Sequence, residues 1–140
     1  MSDPLDRFVR AQAGSYDTAL AEVRAGCKRS PWMWYVFPQS AGLGMSSTAQ
    51  FYAIEDLDEA RRYWAHPVLG ARLREISEAL LTLDTNDAGA VFGWPDELKL
   101  RSCMTLFAHA TDCPVFTQVL DKFYGGREDE KTLRLLGLDA

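Results

Sequence analysis

The residues of this chain whose types and spacing invite chemistry are polar or cationic side chains set inside apolar runs. Burying such a group without a partner costs about 1–3 kcal/mol. Arg29, Trp32, Trp34, Gln39, His66, Lys99, Arg101 and Ser102 stand in such runs. Four of them fall in the aromatic stretch over residues 28–44, KRSPWMWYVFPQSAGLG. Trp32 and Trp34 offer an aromatic wall for a planar ligand, each with an indole N–H donor, or else both fill the core and its rim. Lys99 and Ser102 lie three apart near the start of a helix opened by Pro95, so they share a face. The free N–H groups and dipole of such a start favour an anion. The competing reading pairs Lys99 with Asp96 or Glu97 and turns the Ser102 hydroxyl back onto its own helix. His66, just before Pro67, suits a helix cap or a general base. The expected ligand-binding set is Arg29, Trp32, Trp34, Gln39, His66, Lys99 and Ser102. It would form one partly open pocket for an anionic or nucleotide-like small molecule. The alternative, from a different class, is a helical interaction module without catalysis whose Trp and Phe residues anchor a protein partner.

Other chemistries find little support. Cys27 and Cys103 have no sequence-visible His and acid partner, and Cys103 most simply fills core space. No acid pair stands out among the 20 carboxylates, and Glu75 and Glu78 read as a solvated helix face. The three cysteines include no CxxC pair and the two histidines lie far from metal-ligand spacing, so no metal site is expected. A single GLG over residues 42–44 is too short for a phosphate loop, and no cofactor motif is legible. The net charge of −5 opposes nucleic acid and anionic lipid, although Arg24, Lys28 and Arg29 cluster at a helix end, where cations complement the dipole. The N-terminus lacks a basic stretch followed by an apolar run, and no apolar run approaches the roughly 18 residues of a membrane span. With an odd number of cysteines, a cytoplasmic protein is the expectation.

These residues need elements to position them, and the apolar spacing of three and four, with a cap or proline before each run, predicts helices. Ser2 or Asp3 with Pro4 opens the first, and Ser15 caps a second that ends at Gly26. A turn or two follows Pro31, then short helices capped by Ser46 or Ser47 and by Asp56. The longest core helix starts at Pro67, with Leu69, Leu73, Ile76, Leu80 and Leu83 inward, and the Asn86–Asp87 pair marks its end. A turn at Val91 and Phe92 leads to helices opened by Pro95, Pro114 and Asp129. Strand-like alternation is nearly absent and no linker divides the chain. The 140 residues, 47% hydrophobic and 25% charged, therefore predict an all-α, multihelical single domain over residues 1–140 with about eight helices.

The runs KRSPWMWYVFPQ, AGLG, QFYAI, YWAHPVLGARLRE, FGWPDELKLRSCMTLF and LDKFYGG, in this order, resemble domain-of-unknown-function family 1810. The resemblance spans Phe8 to Leu136. It implies a multihelical fold and no established activity. Bacterial members often carry the label calpastatin, but an inhibitor of that kind is a polar, repetitive chain that folds on binding, and this chain is neither. A weaker likeness links residues 49–74 and 98–136 to the helical NAD/ADP-ribose-associated domain family. That family's pattern has a Glu near the position of Ala49 or Gln50, and no carboxylate stands there in this chain.

Overall fold

The computed structural model describes residues 3–138. Ten helices follow one another: α1 (Asp6–Ala13), α2 (Tyr16–Arg24), α3 (Met33–Val36), α4 (Ser47–Phe51), α5 (Leu57–Ala65), α6 (Leu69–Leu81), α7 (Ala88–Phe92), α8 (Asp96–Ala110), α9 (Val115–Tyr124) and α10 (Glu130–Leu135). They make up 62% of the structure, with no strand among the described residues, so the all-α expectation holds. The two helices beyond the expected eight come from short segments. The four residues of α3 follow Pro31, and α7 replaces the turn expected at Val91 and Phe92.

Side-chain caps set several boundaries. Ser46 accepts from the Ala49 N–H, Asp56 from Glu59, Asp87 from Ala90 and Asp129 from Thr132. Asp87 therefore starts α7, and α6 has already ended at Leu81. Ser15 occupies the cap position of α2, but its hydroxyl donates back to the Ala11 carbonyl at 2.8 Å and caps nothing. Asp3 turns the chain into α1 by accepting from the Leu5 N–H, and Ser2 lies outside the described residues.

Helices α5, α6, α8 and α9 pack on one another, with α2 on α6, α1 on α3, and α7 and α10 on α8. The inward stripe of α6 holds for Leu69, Leu73, Ile76 and Leu80, all buried, but Leu83 falls past its end and is only partly buried, and α8 at 15 residues, not α6 at 13, is the longest helix among the described residues. The turn from α5 to α6 is so tight that a Cβ on Gly70 would lie 1.9 Å from the Trp64 carbonyl oxygen, which no other residue type could accommodate. Between α3 and α5, a parallel bridge pairs Ser40 with Ile54: the Ile54 N–H donates to Gln39 O and the Ala41 N–H to Ile54 O, each at 2.8 Å. This bridge fixes the backbone from which Gln39 and Ser40 project. No helix among the described residues is long and apolar enough to cross a membrane.

Candidate functional site

The aromatic run is held in place from α2. The Glu22 carboxylate accepts from the Arg29 and Ser30 N–H groups at 2.7 and 2.9 Å, from the Ser30 hydroxyl at 2.6 Å and from the Trp32 indole N–H at 2.9 Å. Partial burial opposes the charge on Glu22, yet the donors from Ser30, Arg29 and Trp32 outweigh it and bring the carboxyl down to about 2. Lys28 joins the run to α7 through its N–H to Val91 O at 2.7 Å. Trp32 then packs edge-on to Phe92 and tilted against Phe37.

With that anchor set, Trp34 faces α8. The Lys99 ammonium lies over its ring, 4.2 Å from the centroid, and Lys28 lies over Trp32 at 5.1 Å. Asp96 bridges the two lysines at 2.9 Å each. Burial works against the Asp96 charge, but the bonds from Lys28 and Lys99 hold its carboxyl below the usual range. Trp34, Gln39, Lys99 and Ser102 line one open cleft of about 220 Å³ between the aromatic run, α8 and α10, with Lys131 and Asp129 on the far wall.

Asp129 is occupied by capping α10, accepting from the Thr132 N–H and hydroxyl. Lys131 is exposed. Across this wall Arg101 donates to the carbonyls of Arg127 and Glu128, and Thr105 accepts from the Asp129 N–H. Arg101 and Thr105, four apart on α8, thus fix the approach of α10 to the cleft.

Behind Trp34 a smaller, more enclosed cavity of about 100 Å³ is lined by Gln39, Ser40, Gly44, Ala49, Gln50 and Tyr52, among others. Gly44 makes room for it. A Cβ there would lie 2.5 Å from the Ala49 Cβ and 3.0 Å from the Trp34 ring. Gln39 and Ser40 are only 5% and 4% exposed. Their Nε2 and Oγ atoms find no hydrogen-bond partner among the described residues.

The expected set divides. Trp34, Gln39, Lys99 and Ser102 come together. Arg29, Trp32 and His66 do not join them. Trp32 is core, 1% exposed, and Arg29 contributes its backbone N–H to Glu22 while its side chain stays exposed. His66 closes α5, and its Nδ1 accepts from the Val68 and Leu69 N–H groups at 3.1 and 3.2 Å, so it acts as a cap for the turn into α6. Two of the N–H groups expected to be free at the start of α8 are taken: Glu97 N–H donates to Gly93 O and Leu98 N–H to Pro95 O, both at 2.9 Å. Both competing expectations for α8 hold as well, since Lys99 pairs with Asp96 and Ser102 donates to Leu98 O. Among the described residues no group of three or more His, Cys, Asp or Glu is placed to hold a metal ion.

Residues 2–136 match the family model described as "Protein of unknown function (DUF1810)". The chain belongs to the DUF1810 family. It is also similar to the conserved hypothetical protein Rv1873 from Mycobacterium tuberculosis, known from a crystal structure, at 48% sequence identity and a TM-score of 0.94. The similarity covers 98% of this chain and 100% of that one. No curated protein gives a significant match.

In this DUF1810 member two residues of the candidate site escape sequence reasoning. Glu22 reads as one more acid on an amphipathic helix, and nothing local announces four donors arriving from residues 29–32. Ser40 reads as loop, and only its bridge to Ile54 buries it. Ala49 and Gln50, where the weaker likeness would want a carboxylate, line the small cavity without one.

Proposed function

We propose that the domain binds a small anionic molecule in the cleft between Trp34 and Lys99. The observation that carries this reading is the convergence of Trp34, Gln39, Lys99 and Ser102, drawn from two distant segments, on one opening. Charge supports it. Lys28 and Lys99 share the single carboxylate of Asp96, and Lys131 at the rim stands against Asp129 on the same wall, so the group as a whole keeps one positive charge in excess. The ammonium of Lys99 keeps donors beyond the one given to Asp96, and a carboxylate or phosphate oxygen would accept them at a partly desolvated position where the bond is charge-assisted. A planar group on the ligand would find Trp34 beside it. The Ser102 hydroxyl is bonded back to Leu98 O and Asp129 caps α10, and the function we assign to the cleft is binding.

A thermal-shift screen with ATP, ADP-ribose, pyrophosphate and inorganic phosphate tests the reading. A ligand at 100 times its dissociation constant adds about 2.7 kcal/mol of stability, enough for a clear rise in Tm. Lys99→Ala should abolish that rise. No response from any probe, or an equal response from Lys99→Ala, would remove the anionic site.

The second reading, a protein-interaction surface, also has its own observation: Trp94 is 79% exposed and Leu98, one turn on, is 48% exposed beside the cleft. The same screen separates the two, because a pure interaction surface gives no small-molecule response.

A further inference from the structure

The cavity behind Trp34 differs from the cleft in front of it in charge. No ionised side chain lines it, and Tyr52, whose phenol burial pushes upward, stays neutral. Two of the residues that line it carry hydrogen-bonding atoms without a protein partner: the Gln39 amide Nε2, a donor, and the Ser40 hydroxyl, both donor and acceptor. Two such atoms, buried on successive residues of a backbone locked to Ile54, cost stability in the unliganded protein, and native folds keep few of them. The walls otherwise are flat and apolar, made by the Trp34 ring, Ala49 and the glycine edge. About 100 Å³ admits several waters or one small planar group. Ala41, Gly42 and Gln50 are exposed along its lining, so a ligand has a way in.

We infer that this cavity is a binding subsite for a neutral planar amide, such as a carboxamide, lactam or urea, whose carbonyl accepts from Gln39 Nε2 and whose N–H donates to Ser40 Oγ. Gln39 lines the cleft as well as the cavity, so the two openings adjoin at that residue. Resting on the cleft reading above for its acidic half only, the ligand class is then bipartite: an anionic group at Lys99 joined to a neutral amide-bearing ring or chain end at Gln39 and Ser40. A carboxylate in the cavity would have to be buried with no cation against it, which disfavours an acid there and gives the two halves of the ligand a fixed orientation.

The test uses the full chain, isotope-labelled, with NMR detection of the Trp34 indole and Gln39 side-chain amide signals. Uracil and benzamide are the neutral amide probes, benzoate is the charged isostere of benzamide, and inorganic phosphate probes the cleft. Uracil or benzamide should shift both signals saturably, with dissociation constants of about millimolar, as expected for fragments. Ser40→Ala and Gln39→Met should each weaken that binding about tenfold, read for Gln39→Met on the Trp34 signal alone. Benzoate should bind at least about tenfold more weakly than benzamide. Absence of a saturable shift, unchanged binding in both variants, or benzoate equal to benzamide would each overturn the subsite. Phosphate reads separately: if it fails to bind while the amides still do, the cleft reading falls and the amide subsite stands.

Discussion

Trp32 and Trp34 sit two residues apart, yet each meets a different kind of surroundings. Trp32 is enclosed by Phe37 and Phe92, and its indole N–H is satisfied by Glu22. Trp34 is half-buried, with a lysine over one face, an open cleft in front and a cavity with two unpartnered polar atoms behind. On the Trp32 side the Lys28, Arg29 and Ser30 backbone N–H groups, the Ser30 hydroxyl and the Trp32 indole all find partners on α2 or α7. On the Trp34 side the partners run out. A folded chain tolerates that imbalance where something else completes the hydrogen bonds, which is why the second side carries the binding proposals and the first does not.

The comparison is most directly broken by removing each ring. Trp32→Ala should destabilise by about 3–5 kcal/mol, since it deletes a fully buried aromatic and takes one of four donors from Glu22. Trp34→Ala should cost only about 1–2 kcal/mol, because half of its surface is already in contact with water or with empty space. Urea melts of the two variants measure the difference. Equal losses would mean that Trp34 is core and that the openings around it are packing accidents.

The Glu22 hub sharpens the same contrast through pH. Its folded carboxyl lies at about 2 against an ordinary 4.5, so the folded value is depressed. The stabilisation it gives is therefore present above about pH 4.5 and lost as pH falls toward 2. Glu22→Gln should cost about 2 kcal/mol at pH 7, because a neutral amide cannot accept all four donors, and its deficit against the wild type should shrink at pH 3. A deficit that stays constant between the two pH values would show that charge has no part in holding the run.

Much of the fold was legible because it depends on local signals. Asp56, Asp129 and Ser46 cap where the sequence puts caps, and the Leu73 and Ile76 stripe faces inward as its spacing demands. The misplaced boundaries are also local in origin: Asp87 was read as a stop for α6 when it is a start for α7, since an Asp after a helix and an Asp before one look alike. The site was only half legible. Trp34, Gln39, Lys99 and Ser102, which line one cleft, stand out because a polar residue in an apolar run must have a reason to be there. Trp32 and His66 satisfy the same criterion through structural partners, Glu22 and the backbone of the α5–α6 turn, and a single sequence gives no means of telling a partner supplied by the fold from one supplied by a ligand.

The smallest expected effect has the opposite sign from the others. Gln39 and Ser40 are buried with polar atoms that no described residue pairs, and replacing an unsatisfied polar group with an apolar one of similar shape removes its desolvation cost. Waters in a cavity of about 100 Å³ recover part of that cost in the unliganded protein, so the gain falls short of the full 1–3 kcal/mol. Gln39→Met and Ser40→Ala should therefore each raise stability by about 0.5–1 kcal/mol while impairing the amide site, the pattern of a position kept for binding at some expense to the fold. The same substitution logic applied on the Trp32 side, Ser30→Ala, should lower stability, because the Ser30 hydroxyl is already bonded to Glu22. Denaturant melts of the three variants side by side decide the matter: a loss at Gln39 and Ser40 comparable to that at Ser30 would mean that both sides of the aromatic run are built only to hold the fold.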